Sequence, residues 1–284
     1  MSKGISIHIG MEYFDSDYYN GASGSLPKCG KDCLDMQEIA EAQNFESVKL
    51  LRNEDATRGA VAKAISDASN ELVSGDMLFL SYSGHGSSIP DANGDEEDEK
   101  DESWCLYDGF FLDDELYALW TKFEEGVRIF IVSDSCHSGT ISKVSPMLNS
   151  DNVIVSKYFP EMEAKNIYEE NKAFYDEVKK EAVKSKDKEV KATVKLISGC
   201  QDKESSYVLS NSDNSLLTDS LNQVWQGGQF VGSTVEFFEA IKEIVTSIAK
   251  ERSIVQTPNL FTIGKENTSF DEQKPFAIYV ALDK

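Results

Sequence analysis

Residues 77–86 read Met77-Leu78-Phe79-Leu80-Ser81-Tyr82-Ser83-Gly84-His85-Gly86. Residues 127–139 read Val127-Arg128-Ile129-Phe130-Ile131-Val132-Ser133-Asp134-Ser135-Cys136-His137-Ser138-Gly139. Each stretch opens as a short, nearly continuous apolar run and closes in small polar residues and glycine. A strand exposed on one face would alternate apolar and polar side chains; a run apolar at every position reads as a central strand covered on both faces. Two such strands, each ending in a glycine-bearing loop, set the expectation of an open parallel sheet whose chemistry lies at the carboxyl ends of its strands.

Working outward, further strand-like runs are Ile5–Gly10, Ser47–Leu51, Val194–Ser198 and Phe276–Ala281. Helical periodicity lies between them, over Cys33–Gln43, Ala56–Leu72, Asp113–Glu124, Leu216–Trp225 and Val235–Lys250. Asp113-Asp114-Glu115 puts carboxylates in the first turn of its helix, where they complement the helix dipole. The alternation argues an α/β fold: a mostly parallel central sheet of about six strands flanked by helices on both faces. Two stretches depart from it. Asp91–Glu102 is acidic and reads as a surface loop or hairpin. Ser142–Lys191 is rich in Lys and Glu, with a helical look from Met162 to Lys186. We expect a single domain over 1–284, with a first half (1–141), an insertion or linker (142–191) and a second half (192–284).

The 284 residues are 40% hydrophobic and 10% aromatic, enough to bury a sizeable core. Fifty acidic against 28 basic residues give a formal charge of −22, which disfavours nucleic acid and anionic membranes as partners. No apolar stretch suits a signal peptide or a membrane span, so a cytoplasmic location is expected. The five cysteines (29, 33, 105, 136 and 200) are scattered and odd in number, which points to reduced thiols. Cys29 and Cys33 have no second Cys or His pair at zinc spacing.

His85 and Cys136 carry the chemistry. A free thiol has a pKa of about 8.5, so it needs a neighbouring base to act as a nucleophile at neutral pH. An imidazole supplies one, and can later protonate the departing amine. Backbone N–H groups of Gly86 and Cys136 are the candidate oxyanion donors. His137 is a rival base, but side chains of adjacent residues tend to point apart. His8, between Ile7 and Ile9, reads as structural. No Arg follows Cys136 at the spacing of a phosphate-cradling loop, which excludes a phosphatase.

Tyr82-Ser83-Gly84-His85-Gly86 together with Asp134-Ser135-Cys136-His137-Ser138-Gly139 resembles the metacaspases, caspase-like peptidases of bacteria, plants, fungi and protozoa. His85 and Cys136 stand 51 residues apart, in keeping with the caspase spacing of about 50. Leu26-Pro27-Lys28-Cys29-Gly30-Lys31-Asp32, Ile197-Ser198-Gly199-Cys200-Gln201-Asp202 and Gln256-Thr257-Pro258-Asn259 are similar to further family segments, in the same order. The resemblance implies a three-layer caspase-hemoglobinase-like fold and a cysteine endopeptidase that cleaves protein or peptide substrates after Arg or Lys through an acyl-enzyme. Cys29, Asp32, Ser83 and Asp134 match its primary-pocket positions, and two carboxylates there suit a guanidinium or ammonium group. No cofactor is needed for the chemistry. Calcium activates many relatives, and Asp101, Asp113 and Asp114 match three acidic calcium positions. Lys143 stands at the fourth, which argues against strict calcium dependence. Asp91-x-Asn93-x-Asp95 is not an EF-hand, because Glu96 holds the sixth position where Gly is required. Processing by the chain itself or by another protease is expected within Ser142–Lys191, where Lys179, Lys180, Lys184, Lys186 and Lys188 are candidate sites. The alternatives are an inactive caspase-like regulatory or calcium-binding protein, and a transpeptidase or ligase using the same dyad.

Overall fold

The computed structural model describes residues 2–90, 100–136, 153–186, 188–201 and 203–279. In chain order the first half holds β1 (Gly4–Gly10), α1 (Cys29–Ala42), β2 (Ser47–Arg52), α2 (Arg58–Glu71), β3 (Met77–Ser83) and β4 (Gly86–Pro90). It continues with β5 (Lys100–Leu106), β6 (Gly109–Leu112), α3 (Asp113–Trp120) and β7 (Arg128–Asp134). Then come β8 (Ile154–Ser156), α4 (Glu161–Glu170), α5 (Lys172–Lys186), β9 (Thr193–Ser198) and β10 (Tyr207–Leu209). The chain closes with α6 (Leu216–Trp225), α7 (Thr234–Glu251), β11 (Asn259–Gly264) and α8 (Thr268–Glu272).

The central sheet has six strands in the order β2-β1-β3-β7-β9-β11, parallel except for β11, which runs antiparallel to β9. This is the expected α/β architecture, a mostly parallel sheet with helices on both faces. The two apolar runs become β3 and β7, side by side at its centre. Their alternate side chains feed two cores. Leu78, Leu80 and Ile131 pack with α2, α3, α4 and Tyr175 of α5, whereas Phe79, Phe130 and Val132 pack with α1, α6 and α7. Both faces are therefore covered, which is why neither run alternates. Burying each such side chain contributes about 1.5–3 kcal/mol. His8 is fully buried, with Nδ1 2.8 Å from Ser81 Oγ, and burial holds it down at about 3.

Three expectations need correction. Phe276–Ala281 is not the sixth strand: residues 276–279 form a turn, and the remainder lies outside the described residues. Phe276 has a φ of 60° and is wedged among Phe79, Phe130, Trp225 and Phe237. The Ala277 and Ile278 carbonyls accept from the buried guanidinium of Arg128, so a side chain takes the place of a ladder. The sixth strand is β11, an edge strand whose mixed, partly exposed sequence carries no strong apolar signal. Helix α1 begins four residues earlier than its periodicity suggests, which brings Asp32 into its first turn. The helical stretch 162–186 is two helices, α4 and α5.

Two small sheets accompany the main one, β4-β5-β6 and β8-β10, both antiparallel. Most of the acidic stretch 91–102 lies outside the described residues; its end enters β5, paired with β4.

Candidate active site

Strands β3 and β7 pair in a register that sets Ser83 opposite Asp134. Two residues beyond these partners, the chain reaches His85 on one side and Cys136 on the other. The loops close tightly: a Cβ on Gly86 would stand 2.0 Å from the Cys136 carbonyl oxygen and 3.2 Å from its nitrogen. Only glycine permits that approach. The His85 carbonyl accepts from the Cys105 N–H (2.9 Å) and the Tyr82 hydroxyl (2.6 Å), so the loop is fixed from behind. Phe14 and Phe159 flank the imidazole.

Burial, and secondarily the Lys157 ammonium, hold His85 down at about 4, so the ring is neutral at pH 7 and can take a proton. Its Nδ1 makes no hydrogen bond to any described residue. The Cys136 sulfur accepts from the Ser206 N–H at 2.7 Å and lies 3.3 Å from the Ser206 carbonyl. Burial alone would push this thiol up; hydrogen bonds from Cys200, Ser206 and Ser205 outweigh it and bring Cys136 below its ordinary value. Cys200 is raised in exchange, by its neighbour Cys136 and then by burial; its sulfur lies 3.7 Å from the Ser135 carbonyl and 3.5 Å from the Glu204 carbonyl. The arrangement stabilises a thiolate while the neutral imidazole stands by.

The four pocket positions also converge. Asp32 Oδ2 accepts from Ser83 Oγ (2.6 Å) and from Ser215 Oγ, and Asp32 Oδ1 accepts from the Ser215 N–H at 2.9 Å. Asp134 accepts from Ser206 Oγ and from Thr218 Oγ1 (3.4 Å). Cys29 is fully buried in the pocket wall, and burial pushes its thiol up to about 12.

The pocket is filled by the chain itself. Lys157 has no exposed surface, and its ammonium lies 2.9 Å from Asp134 Oδ2 and 3.3 Å from Asp32 Oδ2. It also donates to Ser83 Oγ (2.8 Å) and the Asp134 carbonyl (3.2 Å). Burial would lower this ammonium, but the two carboxylates outweigh burial and raise it, so it is charged. The backbone of the same residue is bound as well. Its carbonyl accepts from the Gly86 N–H (2.9 Å), and its N–H donates to the Ser206 carbonyl (2.9 Å). On one flank β8 pairs antiparallel with β10; on the other, the Phe159 N–H donates to the Gly86 carbonyl (2.8 Å). An extended peptide is thus held as an added strand, with a basic side chain in the acidic pocket and its carbonyl on the expected oxyanion donor.

Sequence reasoning did not single out Lys157, Ser206 or Ser215. The available signal was Val153-Ile154-Val155-Ser156-Lys157-Tyr158-Phe159, a strand-like run with one basic residue inside an otherwise polar insertion. Of the lysines named as cleavage candidates, Lys179 is buried, and Lys180 and Lys184 are on α5. Gln256, in a segment noted only for its resemblance, donates to the Gly199 carbonyl and Ser206 Oγ and so braces the loop that holds Lys157.

Asp101 on β5 and Asp113 and Asp114 at the start of α3 bring carboxylate oxygens within 4.8 Å of one another. Oxygen ligands of this kind suit a hard cation. Burial, then the like charges of Asp114, Asp101 and Glu102, push Asp113 well above the usual carboxylate range. One of the three already has a cation: Lys179 Nζ is 2.5 Å from Asp101 Oδ2, and both residues are buried. The residues present therefore do not fit an open calcium site. His137 and Lys143 lie outside the described residues.

A family model described as Caspase domain matches residues 3–267. Protein GSU0716 from Geobacter sulfurreducens is 39% identical, with a TM-score of 0.82 over 98% of this chain and 99% of that one. Caspase-1 from Spodoptera frugiperda shares the fold at 10% identity, with a TM-score of 0.56 over 92% of this chain and 89% of its own. Metacaspase-1 of Emericella nidulans is 33% identical over 153 residues, 49% of this chain and 36% of that protein. The chain thus spans about a third of the length of this curated relative. Among the described residues no helix is long and apolar enough to cross a membrane.

Proposed function

The chain belongs to the Caspase domain family of peptidases, and from that premise we propose that it is a cysteine endopeptidase cleaving after Lys or Arg, latent while its own residues 154–159 fill the cleft. The observation that carries this reading is Lys157, charged and fully buried between Asp32 and Asp134 with its carbonyl on the Gly86 N–H. In this reading the peptide bond Lys157–Tyr158 stands where a substrate bond would. Neutral His85 takes the Cys136 proton, and the thiolate attacks the carbonyl carbon. The oxyanion rests on the Gly86 N–H, with the Cys136 N–H as second donor. His85 then protonates the departing amine, and water releases the acyl group. An Arg side chain would meet the same two carboxylates, whereas an Asp would bring a third like charge into a dry pocket.

The test compares the purified chain with its Cys136→Ala variant by intact mass, and assays both on fluorogenic peptides ending in Lys, Arg or Asp. Cleavage between Lys157 and Tyr158 and turnover of the Lys and Arg peptides, both absent in the variant, are expected. A chain that stays whole, turns over no peptide and leaves Cys136 unlabelled by an active-site thiol probe would sink the proposal.

A further inference from the structure

We propose that Lys179 is a tethered cation in the Asp101–Asp113–Asp114 cluster, standing where a divalent ion would otherwise be needed and making the protein indifferent to calcium. The inference is independent of whether the chain is a peptidase. Three carboxyl groups within 4.8 Å of one another, with Asp101 and Asp114 buried, cannot all stay ionised unless positive charge is supplied. Helix α5 supplies it. The Lys179 side chain is 3% exposed, and its ammonium reaches Asp101 Oδ2 at 2.5 Å, donates to the Pro90 carbonyl at 2.6 Å, and stands 4.9 Å over the Tyr168 ring.

These contacts are those of a cation in a built socket. A carboxylate, a backbone carbonyl and an aromatic face neutralise and hold one ammonium. A divalent ion taking oxygens from Asp101 and Pro90 would sit nearly in contact with the ammonium, so the two cations exclude each other. The lysine is attached, so it is at high effective concentration and never diffuses away. Asp113 Oδ1 makes no hydrogen bond to any described residue, and Asp113 and Asp114 border a cavity of about 420 Å³ also lined by Trp104 and Trp120. Without Lys179, an ion would have both a route and oxygens to bind.

The test uses the full chain carrying Cys136→Ala, so that it stays whole, with terbium and calcium as probes. Terbium emission sensitised by the neighbouring tryptophans, calorimetry with calcium, and thermal melting give three readouts free of activity. The chain with Lys179 should bind neither ion in saturable fashion at up to about millimolar concentration, and its melting should not respond to calcium or chelator. Lys179→Gln should bind one ion at least about 100-fold more tightly and melt higher with calcium than without. Lys179→Arg should behave as the parent. If Lys179→Gln does not fold even with calcium, Lys179→Gln with Asp101→Asn, which restores the charge balance, should fold and still bind no ion. Equal ion affinity with and without Lys179 would overturn the proposal. So would a Lys179→Gln variant that folds as the parent does and gains no binding, or a double variant no more stable than an unfolded single one.

Discussion

Removing the Lys157 ammonium while leaving its backbone in place is the sharpest perturbation the cleft offers. In a Cys136→Ala chain, Lys157→Ala strands Asp32 and Asp134, each 1% exposed, without their shared cation. Deleting one partner of a buried ion pair costs about 3–5 kcal/mol. At roughly 2–4 °C per kcal/mol for a domain of this size, melting should fall by about 6–20 °C. The vacated pocket should then take an external guanidinium of matching reach. Agmatine at about 100 times its dissociation constant should return about 2.7 kcal/mol, most of the smaller estimate. The parent chain, with the pocket full, should not respond. Differential scanning calorimetry on both chains, with and without agmatine, reads each quantity. Melting of Lys157→Ala within a degree of the parent, or an equal agmatine shift in both, would refute the view that a charged lysine fills a specific pocket.

Gly86→Ala should reduce peptide turnover by at least about 100-fold, because its Cβ would meet the Cys136 carbonyl at 2.0 Å and drive apart the two loops that carry the dyad. A turnover assay checks this, and near-native activity would count against the close approach of the two loops. Stability should fall as pH drops below about 6.5. His85 is held at about 4 and His8 at about 3, so the unfolded chain binds protons there that the folded chain does not. At about 1.4 kcal/mol per unit, His85 alone removes roughly 3 kcal/mol by pH 4. Urea unfolding at pH 7 and pH 5 measures the slope, and His85→Gln should remove about half of the histidine contribution, leaving that of His8. Lys157→Ala should raise the His85 pKa, since it removes the positive charge that helps hold the ring down; a ring-proton NMR titration showing no change would count against that coupling.

What the sequence revealed follows from the range of the interactions. Strands β3 and β7 announce themselves because covering both faces demands apolar residues at every position, and their loops are read by adjacency alone. Asp32 and Asp134 needed a resemblance, since an acidic residue in the first turn of a helix is usually there for the dipole. Lys157 was out of reach because its meaning depends on contacts 125 residues back, to Asp32, and 49 residues on, to the loop at Ser206. Phe276 misled for the opposite reason. Its apolar neighbourhood is real, but Arg128 takes the carbonyls that follow it, so the segment fills the core without joining a sheet.

Strand β10 has a second significance. It is three residues long, and β8 is its partner in the small sheet. If β8 departs after cleavage, β10 is left as a raw edge, with N–H and carbonyl groups turned outward for any extended chain to pair with. With β8 in place the protein carries its own edge guard. A charge of −22 offsets part of that exposure, because two such molecules repel before their edges can meet, while a strand bearing lysine or arginine is drawn in.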